Sequence, residues 1–257
     1  MRFSILASGS SGNTCYIETG KASVLIDAGL SGRETERRLG LLGKSARNLD
    51  ALIITHEHSD HIKGAGPLAR RFGLPLYINR KTLEKGQRAM GNLPKPVIVR
   101  TGQTLTIRDL TVETFTKCHD AADPLGLILS FDGTRMGLVT DLGRSTRLVV
   151  DRLRECNALI VEFNHDQEML EEGPYPLDLK RRIKGPDGHL SNKQAGELVR
   201  KICHDNLNYL VLAHLSKTNN NPTKAHKEAK DALGESGITR VNILISEQDT
   251  PSPLIQL

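Results

Sequence analysis

Residues 51–61 read ALIITHEHSDH, and this stretch predicts a buried strand followed by a metal-binding loop. The apolar run at residues 51–54 has the length and composition of a strand inside a sheet. Three histidines and an aspartate follow within six positions, at His56, His58, Asp60 and His61. Imidazoles and carboxylates bind Zn²⁺ at about 2.0–2.2 Å. A polar loop whose histidines only form hydrogen bonds is the plainer alternative, but the density of donors favours a metal site.

One cluster of four donors cannot surround two metal ions, so further ligands are expected at other strand ends. Three candidates, each directly after a predicted strand, are His119, Asp141 and His214. Asp141 is the natural bridge, because each oxygen of a carboxylate can bind one ion of a pair about 3.5–4 Å apart.

Short apolar runs separated by turn residues recur along the chain. The predicted strands are residues 2–7, 14–18, 23–27, 51–54, 76–78, 97–99, 104–107, 111–115, 127–131, 136–140, 158–163, 209–213 and 241–245. Predicted helices cover residues 63–72, 146–154, 192–204 and 223–234, and another opens with a capping box at Ser31 and Glu34. Strand groups followed by helices in both halves predict an α/β fold. Two mixed β-sheets would pack face to face with helices outside, in a single domain over residues 1–257.

The composition fits an ordinary folded domain, and its charge suits an anionic substrate. The net charge is +5 and the pI is about 9.0. Aromatic residues make up only 4% and tryptophan is absent, which argues against a base-stacking platform as the main design.

The cysteines and the apolar segments predict a cytoplasmic protein that does not enter a membrane. Cys15, Cys118, Cys156 and Cys203 lie far apart without a C-x-x-C pair, as is typical of buried thiols in a reducing compartment. The apolar run at the N-terminus is too short for a signal peptide, and no stretch approaches the ~18 apolar residues of a membrane span.

The motifs THEHSDH, CHDA, TDLG and AHLS, taken in order, resemble the ligand motifs of the metallo-β-lactamase fold. The resemblance implies a four-layer αββα sandwich that holds two divalent metal ions. It assigns one ion to His56, His58 and His119, and the other to Asp60, His61 and His214, with Asp141 bridging both. Asp27 in VLIDAG matches the acidic residue that braces the ligand loop in that fold, although an aspartate in a simple turn is an equal alternative.

A second resemblance concerns the segment GHLSN at residues 188–192. Ser191 and Gln194 form an S-x-x-Q capping box, so His189 lies beside a helix N-terminus, where anions bind. The region from His189 to AHLS resembles that of the tRNA 3′-processing endonucleases. In those enzymes a glutamate–histidine pair protonates the leaving oxygen, and by position this pair is Glu162 and His189 here.

A narrower resemblance is to the bacterial YycJ (WalJ) group of this fold. It rests on LASGSSGNTCYIE, THEHSDH and the blocks EFNHDQEML and GPYPLDLKRRIKGPDGHLSN. The group is regarded as cytoplasmic, with nuclease or phosphodiesterase activity ascribed to it. Phe163 departs from the pattern, because a small residue is usual at that position.

Two further sets of residues are candidates for substrate binding. His165 either touches substrate or pairs with Asp166 to hold its loop. The basic residues near position 180 either contact a phosphate backbone or form a solvated helix face; they are Lys180, Arg181, Arg182 and Lys184.

The predicted function is therefore hydrolysis of phosphodiesters in DNA or RNA by a dinuclear metal-dependent nuclease, with exonuclease action favoured. A hydroxide bridging the ions would attack phosphorus, Asp60 would orient it, and His189 would protonate the departing oxygen. A thioesterase or lactonase acting on a small metabolite, and a non-catalytic metal-bound regulatory protein, are the alternatives. Zn²⁺ is the favoured metal, and Mn²⁺ or Fe²⁺ is compatible with the carboxylates.

Overall fold

A computed structural model describes all residues from 1 to 257 and contains fourteen strands. In chain order they are β1 Arg2–Ala7, β2 Thr14–Glu18, β3 Ser23–Ile26, β4 Ala51–Ile53, β5 Leu76–Asn79, β6 Pro96–Val99, β7 Thr104–Ile107, β8 Leu110–Thr116, β9 Leu125–Phe131, β10 Thr134–Val139, β11 Ala158–Glu162, β12 Tyr209–Ala213, β13 Asn242–Ile245 and β14 Ile255–Gln256.

Nine α-helices connect these strands. They are α1 Gly32–Leu41, α2 Ser59–Ile62, α3 Ala65–Phe72, α4 Arg80–Met90, α5 Arg147–Leu153, α6 Gln167–Glu172, α7 Leu177–Lys184, α8 Asn192–Ile202 and α9 Pro222–Glu235, with a 3₁₀ turn at Ala46–Asn48. None of the nine combines the length and hydrophobicity of a membrane-spanning segment.

The strands form two seven-stranded sheets of the same design. The first has the order β14-β1-β2-β3-β4-β5-β6, with antiparallel pairs as far as β3 and parallel pairs from β3 to β6. The second has the order β13-β12-β11-β10-β9-β8-β7, antiparallel from β7 to β10 and parallel from β10 to β13. The prediction of two mixed sheets built as similar halves is therefore confirmed.

Alternation of side chains along the strands produces the four layers. In β3, Val24 and Ile26 join the apolar cluster between the sheets, whereas Leu25 joins the cluster under α1 and α3. In β11, Ile160 faces the other sheet and Leu159 faces α5, α8 and α9. Both faces of each sheet are thus buried, which is why these strands are apolar throughout. The αββα sandwich is confirmed, and the interpretation of residues 1–257 as one domain stays a prediction.

The helix caps agree in part with the sequence. Ser191 and Gln194 form the full capping box at the start of α8. At α1 only half of the predicted box forms: Ser31 accepts from the backbone N–H of Glu34, but the Glu34 carboxylate pairs with Arg37 and Arg38 instead. Helix α4 and strand β14 were missed, because α4 carries few apolar residues and β14 has only two residues, which pair with β1.

We call residues 55–61 the ligand loop. The loop after β3 approaches the ligand loop so closely at Gly29 that no side chain would fit there. A Cβ atom placed on Gly29 would lie 1.7 Å from the backbone oxygen of Asp60 and 2.5 Å from the backbone nitrogen of Asn13. Backbone hydrogen bonds join the same segments, since Asn13 N–H donates to the Asp60 carbonyl and Gly29 N–H to the Asn13 carbonyl. Glycine at position 29 therefore permits the packing that places Asp60.

We predict that Gly29→Ala lowers the free energy of unfolding by at least about 1–3 kcal/mol, the usual cost of forcing extra volume into packed structure. Urea denaturation of the metal-free protein measures this change. Gly40→Ala in α1 is the matched control, because a Cβ there meets nothing within 4 Å and alanine favours the helix. Equal stability of the two variants would contradict the close approach of these loops.

Candidate metal centre

The structure brings all seven predicted ligands to one edge of the sandwich, beyond the carboxyl ends of strands from both sheets. Their potential ligand atoms form two groups, in each of which all atoms lie within 4.8 Å of one another, and a third group of the same kind joins Asp141 and His214 to Glu162 and His189. The first group is His56, His58 and His119. The second is Asp60, His61, Asp141 and His214. We call these seven residues the metal centre.

The three imidazoles of the first group surround a common point. The ring centroids of His56, His58 and His119 lie 4.8, 4.9 and 4.9 Å apart, and every pair of rings is close to perpendicular. His56 and His119 are buried, and His58 is partly exposed. Three nitrogen ligands with one open side are typical of a catalytic rather than a structural zinc site.

Hydrogen bonds fix the outward-facing nitrogen of four of these rings. In His56, Nδ1 lies 3.0 Å from Thr55 Oγ1, and in His61 it lies 2.7 Å from Asp27 Oδ2. In His119, Nδ1 lies 3.2 Å from the Gly188 carbonyl oxygen, and in His214 it lies 2.9 Å from Glu162 Oε1. Such contacts set the tautomer and the ring orientation of metal-binding histidines. In each of the four rings Nε2 is thereby turned toward the centre, where that of His56 and that of His214 have no hydrogen-bond partner.

Several inward-facing atoms are buried without a hydrogen-bond partner. They are Nε2 of His56, Nε2 of His214 and Oδ2 of Asp141. An unsatisfied buried polar atom costs about 1–3 kcal/mol, and divalent cations bound between these atoms would satisfy them. The donors are nitrogen and carboxylate oxygen only, as Zn²⁺ and Mn²⁺ accept. The residues present therefore fit divalent metal ions.

The electrostatics of the centre also favour cations. Burial alone would lower the pKa of His61, but the carboxylates of Asp141 and Asp27 outweigh it and raise the pKa to about 10. His214 is also buried, yet Asp141, Asp60 and Glu162 raise its pKa well above the usual value. The carboxylates thus attract protons to these two rings, whereas burial lowers the pKa of His56 and of His119; divalent ions would be attracted by the same carboxylates.

Three site residues have a strained backbone at the end of a strand. Asp27, Asp141 and His214 have φ angles of 57°, 54° and 56°, in the left-handed region that costs energy for residues other than glycine. The backbone N–H of His214 donates to Ser8 Oγ at 2.7 Å, and that of Asp27 to the Ile53 carbonyl at 2.8 Å. These turns direct side chains across the edge of the sheets instead of along the strand.

Glu162, at the end of β11, is hydrogen-bonded at both oxygens. Oε1 lies 2.7 Å from Nδ1 of His189 and 2.9 Å from Nδ1 of His214, and Oε2 accepts from the backbone N–H groups of Leu142 and Leu190. Burial would raise the pKa of Glu162, but His189 and His214 outweigh it and lower the pKa to about 2. The predicted Glu162–His189 contact is present, and the same carboxylate also contacts His214, one of the seven predicted ligands.

The residues predicted to bind substrate lie in different surroundings. Arg182 donates through Nε to Asp120 Oδ2 at 2.5 Å and lines a cavity with His189. Lys180 is buried, and its ammonium donates to the Glu171 carbonyl. Arg181 pairs with Asp178 on the exposed face of α7, and Lys184 pairs with Glu171.

His165 is buried and lies outside both groups of metal donors. It lines a separate cavity with Gln167 and Glu171, and the alternative pairing with Asp166 does not form, because Asp166 instead caps α6. Phe163 packs in the core beneath α8 and α9 and does not line the cavity beside His189.

Sequence reasoning missed three residues that hold the centre. Asn13 Nδ2 lies 3.1 Å from Asp60 Oδ2 and 3.1 Å from His61 Nε2. Asn164 Nδ2 donates to the His214 carbonyl at 3.0 Å. Lys117 is buried and its ammonium donates to the carbonyl of Thr140, directly before Asp141. Two of them had a signal: Asn13 lies in the run SGSSGN, which also fits an ordinary turn, and Asn164 lies in the block EFNHDQEML.

Comparison with known proteins agrees with this geometry. The sequence model of a beta-lactamase superfamily domain matches residues 22–214, which include all seven residues of the metal centre. The chain belongs to the beta-lactamase superfamily. The fold expected from the ligand motifs is thereby confirmed.

Within this superfamily, two proteins of the YycJ (WalJ) group are similar over nearly the whole chain. Exodeoxyribonuclease YycJ of Bacillus anthracis is 38% identical over 92% of this chain and 90% of its own length. Exodeoxyribonuclease WalJ of Streptococcus pneumoniae is 36% identical over 100% of this chain and 98% of its own. The predicted resemblance to this group is confirmed.

A solved superfamily structure agrees with the fold. The metallo-beta-lactamase fold protein YhfI from Bacillus subtilis has a TM-score of 0.74 and covers 98% of both chains at 18% identity. At that identity the comparison supports the architecture, and the function must be argued from the site.

Asp27 accepts from the N–H and the hydroxyl of Thr55 and contacts His61 Nδ1. We predict that Asp27→Asn weakens metal affinity by about 10- to 100-fold, the usual effect of losing such a partner. Asparagine tolerates the left-handed φ but removes the charge facing His61. Competition with a chelator measures the affinity.

Asp50→Asn is the control for this change. Asp50 accepts from Ser23 N–H and pairs with Arg108, directly before β4 and so at the opposite end of that strand from the ligand loop. It should leave metal affinity unchanged. Equal affinities of wild type and Asp27→Asn would show that Asp27 only forms a turn.

Proposed function

We propose that this chain is a metal-dependent exodeoxyribonuclease that hydrolyses the phosphodiester bonds of DNA from a strand end. The observation that carries the proposal is the Glu162–His189 contact of 2.7 Å, directly beside the metal centre. Binding a metal requires no acid, whereas cleaving a phosphodiester with a poor leaving group does. Two relatives similar over nearly the whole chain carry the name exodeoxyribonuclease, and RNA is the alternative substrate.

The seven residues of the metal centre would hold two divalent ions. His56, His58 and His119 would bind one, and Asp60, His61 and His214 the other, with Asp141 between them. Zn²⁺ is the metal we favour, with Mn²⁺ or Fe²⁺ as alternatives. When bound, such ions polarise phosphoryl oxygens and lower the pKa of water from 15.7 to about 7.

The residues of the chain would then guide the proton and the nucleophile. Asp60, held by Asn13 at 3.1 Å, orients the attacking water. As the oxygen of that water bonds to phosphorus, the bond from phosphorus to the departing nucleotide oxygen breaks. His189, oriented through Nδ1 by Glu162, donates a proton from Nε2 to this departing oxygen. The side chain of His189 is 19% exposed, so it is accessible to substrate.

We also propose the cytoplasm as the location. Cys15 and Cys156 are buried, and all four cysteines are free thiols. Unpaired thiols suit a reducing compartment.

End-labelled linear DNA provides the direct test. We expect the purified protein with Zn²⁺ or Mn²⁺ to shorten linear strands progressively and to leave covalently closed circular DNA intact, because a circle offers no end. Added EDTA should abolish the activity. RNA substrates of the same sequence measure the preference for deoxyribose over ribose. Cleavage of circles at the rate of linear DNA would rule out exonuclease action.

The role of His189 can be tested separately. We predict that His189→Ala slows DNA hydrolysis by about 10²–10⁴-fold, the usual contribution of a positioned acid. It should retain its metals and most of its activity on bis(p-nitrophenyl) phosphate, whose leaving group needs no proton. Turnover and metal content measured on the same preparation separate the two effects.

His204→Ala is the matched control, because His204 follows the C-terminal end of α8, whereas His189 precedes its N-terminal end, and it contacts the Cys156 carbonyl. An equal loss of activity on DNA and on the activated diester would mean that His189 supports the metals instead of acting as an acid.

A further inference from the structure

A cavity of about 230 Å³ opens beside His189 and has two chemically different walls. The apolar wall is made by Tyr175 and by Leu179 and Ile183 of α7. The polar wall is made by Asn164, His189 and Ser216. The proposed acid therefore faces directly into this cavity, so whatever carries the departing oxygen must lie in it.

Tyr175 gives the apolar wall an aromatic surface. The chain has only nine aromatic residues, five phenylalanines and four tyrosines, and Tyr175 is the one that lines this cavity. It lies between Pro174 and Pro176, which restrict the backbone on both sides. Tyr175 is half-buried and its hydroxyl forms no hydrogen bond within the protein, so the backbone holds the ring in place.

Arg182 supplies a positive charge at the same cavity. Only its Nε is engaged, by Asp120 at 2.5 Å, and its side chain is 60% exposed. The two terminal amino groups of the guanidinium are left to bind an anion, and their planar arrangement matches two oxygens of a phosphate. The cavity thus offers an aromatic face, a polar face and an anion-binding group.

We propose that this cavity is a subsite for the terminal nucleotide of the DNA strand, with the base stacked on Tyr175 and a phosphate bound by Arg182. This inference rests on the proposed nuclease function and identifies the group that departs. A nucleotide combines a planar base with a polar sugar and a charged phosphate, which is the combination that the two walls and Arg182 present.

The size of the cavity limits what can enter. At about 230 Å³ it is smaller than the ~300–1,000 Å³ typical of sites for drug-sized ligands. A cavity of this size suits a single nucleotide better than a base pair, so we expect the terminal base to leave its partner before cleavage. Frayed ends satisfy this requirement and the interior of a duplex does not, so the cavity accounts for action at ends and for release of single nucleotides.

Two single-stranded oligonucleotides that differ only at the end attacked provide the test. One carries an intact terminal base, and the other a tetrahydrofuran abasic residue at that position. We expect the wild-type protein to show a kcat/KM about 10- to 100-fold lower on the abasic end, as the loss of one base–aromatic stack predicts. This comparison uses only the wild-type protein, so its result does not depend on whether a variant folds.

Substitutions at Tyr175 test whether the terminal base stacks on this residue. Tyr175→Ala should process both oligonucleotides at the low rate of the abasic one, whereas Tyr175→Phe should behave like wild type, because stacking needs the ring and not the hydroxyl. Leu177→Ala is the matched control, since Leu177 lies on α7 with 69% of its surface exposed and does not line the cavity. It should retain the full discrimination of the wild type.

The outcomes separate the two proposals. Wild-type rates that are equal on both ends, or a Tyr175→Ala variant that discriminates as strongly as wild type, would overturn the subsite while the nuclease function stands. Hydrolysis of bis(p-nitrophenyl) phosphate by wild type without degradation of either oligonucleotide would overturn the nuclease function, and the subsite with it. Products longer than one nucleotide would overturn the limit set by the cavity.

Discussion

The concentration of buried carboxylates at one edge of the sandwich is the constraint on which the rest of the site depends. Asp27, Asp141 and Glu162 are almost completely buried, and Asp60 lies beside them. A buried ion without a partner costs several kcal/mol. The imidazoles, the Lys117 ammonium and two divalent ions together would balance these charges.

The architecture meets this constraint through its parallel strands. Five strands end at the same edge: β3 and β4 in one sheet, and β10, β11 and β12 in the other. Strand β11 ends on the site residue Glu162, and each of the other four is followed by a residue of the site. Strained turns at Asp27, Asp141 and His214 then direct the side chains across that edge. The interiors of the strands are apolar on both faces, so the stable core offsets the strain at their ends.

Glu162 connects the proposed acid His189 with His214, a proposed metal ligand. One of its oxygens contacts both His189 and His214, while the other is fixed by two backbone N–H groups. A change in the position of this carboxylate would therefore move the proposed acid and a proposed ligand together. The same contact fixes the orientation of the His189 ring, which the proposed role as an acid would require.

The sequence by itself determined the αββα sandwich and the seven side chains of the metal centre. Motifs such as THEHSDH and TDLG combine an apolar strand with a polar end, and this information is local, so the order of strand and donor is readable without coordinates. Substrate contacts were harder to predict, because a run of basic residues does not show which way each side chain points from the helix. On α7, Lys180 is buried, Arg181 faces outward and Arg182 lines the cavity. Only the tertiary structure decided that Asn13 and Lys117 brace the centre and that Tyr175 faces His189. Those contacts join segments distant in sequence, and their geometry is set by the packing of both sheets and α7 around one edge.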